Sequence, residues 1–287
     1  CGRIGAIVAP LNVRLISSEI GDYCNEHGCV AIVASSDFTE RFVSTSATAR
    51  IAYGADNTGW LDYETLLDGE DSGPLPVSTL FDEAYRLVMT GGTTGPSKGV
   101  LHSQGGTIIT VLADIVEYGI GRGWQTVTIL PAYHVAGMEW GMFTILWRAG
   151  TIIFLSQKSF NASNYLKEVR ERGIEYLPMV PAVINSLYEA WDGVPLLAPR
   201  TIVTTAAPTL KPLREKLAEM FPEANLLAAA GLSESLNMAA QTPGEYLTHP
   251  SSIGEPHVDT RLLILDDEDR RVPAGERGHI AVRNFNT

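Results

Sequence analysis
Cysteine is scarce in this sequence: Cys1, Cys24 and Cys29 are the only three in 287 residues. An odd count without regular spacing excludes a small secreted fold stapled by disulfides. Cys24 and Cys29 have no second Cys or His pair nearby, so zinc is excluded too and small buried residues are expected. No apolar run reaches the length of a membrane span, and no signal peptide opens the chain. A cytoplasmic protein without stable membrane insertion is therefore expected. Positive charge is in deficit, with 21 Lys and Arg against 33 Asp and Glu and a formal net charge of −12. Such a chain has no electrostatic handle on nucleic acid or anionic lipid. Internal repeats and low-complexity tracts are missing as well. The balance of 45% apolar to 19% charged residues excludes disordered and fibrous classes. The length suffices for one large domain or two modest ones.

What is present is a rhythm. Short apolar runs rich in β-branched residues alternate with amphipathic stretches of helical period. Residues 5–10 (GAIVAP), 30–34 (VAIVA), 126–130 (TVTIL), 151–155 (TIIFL), 176–180, 201–205 (TIVTT) and 226–229 (LLAA) read as strands. Residues 17–27, 106–118, 137–147, 161–172, 181–191 and 208–220 read as helices, the first capped by Ser17 or Ser18. Continuous apolar strands alternating with helices imply an α/β fold of mainly parallel sheets covered on both faces. Residues 55–76 are acidic and rich in Gly, Asp, Ser and Pro, and read as a surface loop around a short helix. After position 250 two strands, residues 259–265 and 279–283, flank an acidic turn and read as a hairpin. The expected organisation is an α/β unit over residues 1–249 and the start of a small β element over residues 250–287. The first segment reads as a helix end feeding a strand, and the last as a strand without a tail, so a piece of a longer protein is expected.

One stretch carries chemistry. Residues 87–100, LVMTGGTTGPSKGV, follow an apolar strand, with a helix expected behind them. Glycines let backbone N–H groups approach a ligand and form an anion nest. The hydroxyls of Thr90, Thr93 and Thr94 add donors, and Lys98 adds a positive charge. That set suits a polyphosphate. It is not a Walker A loop, because Ser97 precedes Lys98 and Gly99 follows it. The glycine spacing also fails the dinucleotide fingerprint.

The loop, through Thr90, Gly91, Gly92, Thr93, Thr94, Gly95, Lys98 and Gly99, resembles the phosphate loop of the adenylate-forming enzymes: acyl-CoA synthetases, peptide-synthetase adenylation domains and luciferases. Gly91 stands where that family usually has Ser, and Pro96-Ser97 shifts the usual proline by one. Further stretches are similar in the same order. They are residues 5–12 (GAIVAPLN), 131–137 (PAYHVAG), 205–208 (TAAP), 231–234 (GLSE) and 275–280 (GERGHI). The resemblance implies the large ATP- and acyl-binding domain of an acyl-CoA synthetase-like ligase, with its C-terminal lid domain absent. It implies ATP, Mg²⁺ and coenzyme A as acceptor, and a carboxylic acid, fatty or aryl, as substrate.

By the same resemblance, Lys98 and the loop hydroxyls hold phosphates, and Glu234 holds the metal. Ser233 faces the α-phosphate, with Gly231 and Leu232 beside it. Ala206, Ala207 and Pro208 border the adenine, and Ala230 replaces a stacking aromatic. His134 acts beside the acyl pocket. The isolated chain is expected to be inactive, and a homodimer is allowed. The alternatives are a peptide-synthetase adenylation domain, a fatty-acyl-AMP ligase, a luciferase-like oxygenase or a non-catalytic nucleotide-binding relative. Glu139 falls near the position where an amino-acid activator would pair with an ammonium group.

Overall fold
A computed structural model describes residues 1–54, 59–71, 73–74, 79–90, 98–155 and 159–287. Helix α1 (Ser17–Glu26) begins one residue earlier than either serine could cap it. Ile16 is the cap position, and its N–H donates to the Glu19 carboxylate three residues on. Its buried face, Ile20 and Cys24, packs on Ile32 and Ala34 of β1 (Ala31–Ser35). Strands β1, β2 (Ala49–Tyr53) and β3 (Leu61–Asp62) make a small parallel sheet, and α2 (Tyr63–Leu67) follows. Cys24 is buried as its apolar setting requires, and Cys29 packs partly against the same cluster. Among the described residues, residues 5–10, expected as a strand, contribute one bridge. Val8 pairs parallel to Arg86 through two backbone bonds of 2.8 and 2.9 Å.

Arg86 lies in β4 (Ala84–Met89), which pairs antiparallel with β5 (Gly99–Ser103). The sequence Gly-Val-Leu-His-Ser carries no clean alternation, so local pattern does not announce this strand between the Gly/Thr-rich stretch and the helix expected behind it. β4 and β5 instead pair with each other from either side of that stretch, whose residues 91–97 lie outside the described residues. Helix α3 (Gln104–Glu117) starts only after β5, capped by the Ser103 hydroxyl, which accepts the Gly106 N–H at 3.0 Å.

Among the described residues the main sheet holds seven strands, in the order β12-β11-β10-β9-β8-β6-β7. β6 (Gln125–Thr128), β7 (Thr151–Phe154), β8 (Tyr176–Met179), β9 (Thr201–Thr204) and β10 (Asn225–Leu232) are parallel. β11 (Leu236–Ala240) and β12 (Glu255–Pro256) add an antiparallel edge that the apolar pattern did not announce. Alternation sorts the side chains. Ile202 and Leu226 face α6 (Ala162–Arg172), α7 (Pro181–Ala190) and α8 (Lys211–Met220), whose Val169, Ile184 and Leu217 fill one core. Val203 and Leu227 face a second core with Tyr118, Trp140 and Ile145. A short helix α9 (Glu245–Thr248) precedes β12. β13 (Arg261–Leu265) and β14 (His279–Arg283) form the expected hairpin.

The helix expected over residues 137–147 is broken into three parts. α4 (Val135–Met138) gives way to a π segment, Glu139–Phe143, and then to α5 (Thr144–Trp147). The Thr144 N–H reaches back five residues to the Glu139 carbonyl, which defines the wide turn. Among the described residues no helix is long and apolar enough to cross a membrane.

Candidate functional site
In open α/β sheets ligands bind beyond the carboxyl ends of the strands. A cavity of about 410 Å³ opens there, past β4, β9 and β10 and under α4. Seven of the residues expected from the sequence line it: Thr90, His134, Ala206, Gly231, Leu232, Ser233 and Glu234. Thr90 and Lys98 clasp the neck of the glycine-rich stretch, because the Thr90 N–H donates to the Lys98 carbonyl at 2.9 Å. The Lys98 side chain is exposed and stands outside the lining set, as do Ala207, Pro208 and Ala230. Gly91, Gly92, Thr93, Thr94 and Gly95 lie outside the described residues, with Pro96 and Ser97.

Ser233 and Glu234 do not open a helix. They form the turn between β10 and β11. The ladder slips between Ala230 and Gly231, and a Cβ at Gly231 would stand 2.1 Å from the Leu236 carbonyl oxygen. Only glycine lets the two strands approach so closely. The turn is clamped from both sides. His102 Nε2 lies 2.7 Å from the Ser233 carbonyl, and Asn284 Nδ2 donates to the Ser235 carbonyl at 2.7 Å. Two lining residues, Ala206 and Leu236, sit at φ +69° and +59°. Ala206 follows β9, and glycine would hold that conformation without the Cβ penalty. Ala206→Gly is expected to stabilise the chain by about 1 kcal/mol, a rise of roughly 2–4 °C in thermal midpoint. A lowered midpoint in a melting experiment would refute the strain at this position.

His134 caps α4. Its Nδ1 accepts the Ala136 N–H at 3.2 Å, and desolvation holds its imidazole below the ordinary value. The neutral ring therefore carries its proton on Nε2, as a donor. Gly137 follows because a Cβ there would lie 2.0 Å from the Pro131 carbonyl oxygen.

A charged network links the two ends of the cavity. Arg86, fully buried in β4, forms an ion pair with Glu139 of the π segment. Arg86 Nη2 lies 2.8 Å from His102 Nδ1. Guanidinium only donates, so Nδ1 accepts, and Nε2–H must be the donor to Ser233. Burial, then the neighbouring Arg86, pulls the His102 imidazole down to about 4, so it stays neutral. Burial pushes the Glu139 carboxyl up to about 7 against the pull of Arg86. Arg86 was not anticipated. Its signal was present, as a cation inside the apolar run of β4 with a carboxylate inside an equally apolar helix.

A second buried cluster backs the cavity wall behind Asn237. His257 Nδ1 donates to Asp259 Oδ1 at 2.7 Å, and its Nε2 faces Asp114 Oδ1 at 3.2 Å. Asn237 Nδ2 donates to Asp114 at 2.9 Å. Burial opposes the imidazolium, but the two carboxylates outweigh it and raise His257 to about 9. Burial raises Asp114, while bonds from His257, Thr260 and Thr110 leave Asp259 lowered.

Among the described residues no cluster of three or more His, Cys, Asp or Glu is spaced to hold a metal. Glu234, however, is an exposed carboxylate on the cavity rim. One carboxylate beside hydroxyls fits a magnesium ion that keeps waters and takes phosphate oxygens as its other ligands.

The sequence profile of the AMP-binding enzymes matches residues 1–287. Indoleacetate–CoA ligase of Aromatoleum aromaticum is 28% identical over 302 residues, all of this chain and 57% of that protein. A fatty acid–[acyl-carrier-protein] ligase of Streptomyces coeruleorubidus is 24% identical over 98% of this chain and 55% of its own length. The chain thus spans little more than half of these relatives. Among solved structures, o-succinylbenzoate coenzyme A synthetase of Bacillus subtilis with ATP and magnesium ion superposes with a TM-score of 0.80 at 20% identity. That match covers 96% of this chain and 55% of the other. The amide bond synthetase of Marinactinospora thermotolerans gives 0.87 at 22%, covering all of this chain and 58% of its own. At such identities the structures establish a shared fold.

Proposed function
The chain belongs to the AMP-binding enzyme family, and from that premise we propose that it is the ATP- and acid-binding part of a ligase that activates a carboxylic acid as its adenylate and passes the acyl group to a thiol, coenzyme A. The observation that carries this reading is one cavity lined by Thr90, Ser233, Glu234 and His134. Hydroxyls, a carboxylate and a neutral imidazole donor thus border one space. In the first step a carboxylate oxygen of the acid forms a bond to the α-phosphorus of ATP. The bond from that phosphorus to the bridging oxygen breaks, and pyrophosphate leaves. In the second step the thiol sulfur bonds to the acyl carbon, and AMP departs.

The difficulty is to hold two anions together, which fixed donors meet better than water does. Thr90, Lys98 and the loop between them would hold the β- and γ-phosphates. Ser233 would donate to the α-phosphate, and His134 Nε2–H would orient the acid. Glu234 would hold magnesium, which when bound neutralises phosphate charge as a Lewis acid. The acid is unaminated in this reading. Glu139 is matched by Arg86, so it carries no spare charge for an ammonium group.

Titration calorimetry with Mg·ATP tests the reading. Wild-type chain should bind ATP and reject GTP. Lys98→Ala should weaken ATP at least tenfold, the loss of about 1.4 kcal/mol or more expected when a charged phosphate contact is removed. Equal affinity of wild type and variant, or equal affinity for the two nucleotides, would count against it.

A further inference from the structure
The wall of the cavity carries buried polar atoms that no group among the described residues satisfies. Glu139 is 2% exposed and Asn237 1%, and both line the cavity. Glu139 Oε2 and Asn237 Oδ1 have no hydrogen-bond partner among the described residues. Arg86 takes the other Glu139 oxygen, and Asp114 and Tyr118 take the Asn237 amide hydrogens. Trp140, 5% exposed on the same wall, has its indole N–H unpartnered as well. Buried polar groups are almost always paired, so such exceptions call for an explanation. Other buried atoms without a partner, such as Asp114 Oδ2 and the Tyr176 hydroxyl, lie away from the cavity lining; Glu139, Asn237 and Trp140 border the cavity, where a ligand can reach them.

The unmet set is two acceptors and one donor. An aliphatic tail would leave all three orphaned at full desolvation cost. An ammonium group brings donors only and would leave the indole unmatched. A hydroxyl donates one proton and keeps two lone pairs, so it can serve an acceptor and the indole together. His134, at the mouth, and Glu139 are five residues apart on one wall, roughly 7 Å by the rise of a helix.

Resting on the reading that this cavity takes a carboxylic acid at His134, we propose that the acid is a hydroxy acid. Its hydroxyl lies roughly 7 Å from the carboxylate, donates to Glu139 and accepts from the Trp140 indole. The π segment is the device that selects it.

Calorimetry of the chain with 4-hydroxyphenylacetate, 4-methoxyphenylacetate and phenylacetate tests this. The hydroxy acid is expected to bind about ten- to a hundredfold more tightly than either of the others, the range for a hydrogen bond to a charged group. Glu139→Met alone strands the Arg86 charge, so the paired Arg86→Met, Glu139→Met variant serves as the second probe. It should reduce the preference for the hydroxy acid at least fivefold. Binding of all three acids with equal affinity overturns the hydroxyl assignment and leaves the acid site standing. A preference retained in full by the paired variant overturns the role of Glu139. Failure of every acid to bind, in a chain that binds Mg·ATP, removes the acid site and this inference with it, while the nucleotide reading survives.

Discussion
His257→Leu is expected to lower the unfolding free energy at pH 7 by about 3–5 kcal/mol, the cost of stranding buried charges without their partner. The side chains of Asp114 and His257 are fully buried, and that of Asp259 is nearly so. Among the described residues the imidazolium is the only cation paired with these two carboxylates. Without it one carboxyl must take up a proton or the segment around position 257 must open to water. Urea denaturation measures the loss, and a change below about 1 kcal/mol, within the range of an ordinary surface substitution, would mean that the cluster is not charged as described. Converting both carboxylates as well, in Asp114→Asn, Asp259→Asn, His257→Leu, should recover part of the stability.

The same cluster predicts a pH dependence of definite sign. His257 is raised to about 9 in the folded chain against about 6.5 when unfolded. The folded state therefore holds the extra proton between those values. Its contribution is complete below about pH 6.5 and disappears as pH climbs through about 9. Wild-type stability should fall over that window, and His257→Leu should flatten the fall.

Arg86→Met is expected to be nearly as damaging, about 3–5 kcal/mol at pH 8, and for a related reason. It leaves the Glu139 carboxyl without a cation and His102 Nδ1 without a donor. Glu139 already binds its proton more tightly folded than unfolded, with a value of about 7. Its contribution is thus complete below the ordinary carboxyl range and weakens as pH rises through 7. Losing Arg86 moves that value further up, so the damage should grow between pH 6 and 8. The paired Arg86→Met, Glu139→Met should recover most of it, since apolar pairs of similar volume replace buried ion pairs at little cost. Hydrogen exchange supplies the local measurement. The amides of the Ser233–Glu234 turn should exchange faster in Arg86→Met, because His102 is no longer fixed against the Ser233 carbonyl. Unchanged protection there would break the link between the two ends of the cavity.

The parallel core was readable because its strands are buried on both faces. Runs such as TIVTT and TIIFL admit little else, and the helices between them repeat at 3.6 residues. The antiparallel pieces were not readable. β5 mixes Gly, His and Ser in a strand with one exposed face, and β11 reads as the tail of a loop. Their pairing is fixed by partners far along the chain rather than by local pattern. The candidate site divides in the same way. Thr90, His134, Gly231, Ser233 and Glu234 lie in short motifs that name themselves. Arg86, Asp114 and His257 do not, because a charge in an apolar stretch is recognisable only when its counter-charge is known. For Asp114 and His257 that partner is 143 residues away by number and 3.2 Å away in space.

The wide turn at Glu139–Phe143 acts on the helix as a phase shift. An α-helix advances about 100° per residue, and a turn closed over five residues instead of four inserts one such step. Everything before it, His134 included, is rotated by that step relative to Ile145 and the core behind it. Deleting a single residue within the turn would return the ladder to α register and swing the imidazole out of line with the cavity, with no contact around it altered first. The aim of the N-terminal end is thus set by residue count, while the grip of the C-terminal end is set by packing.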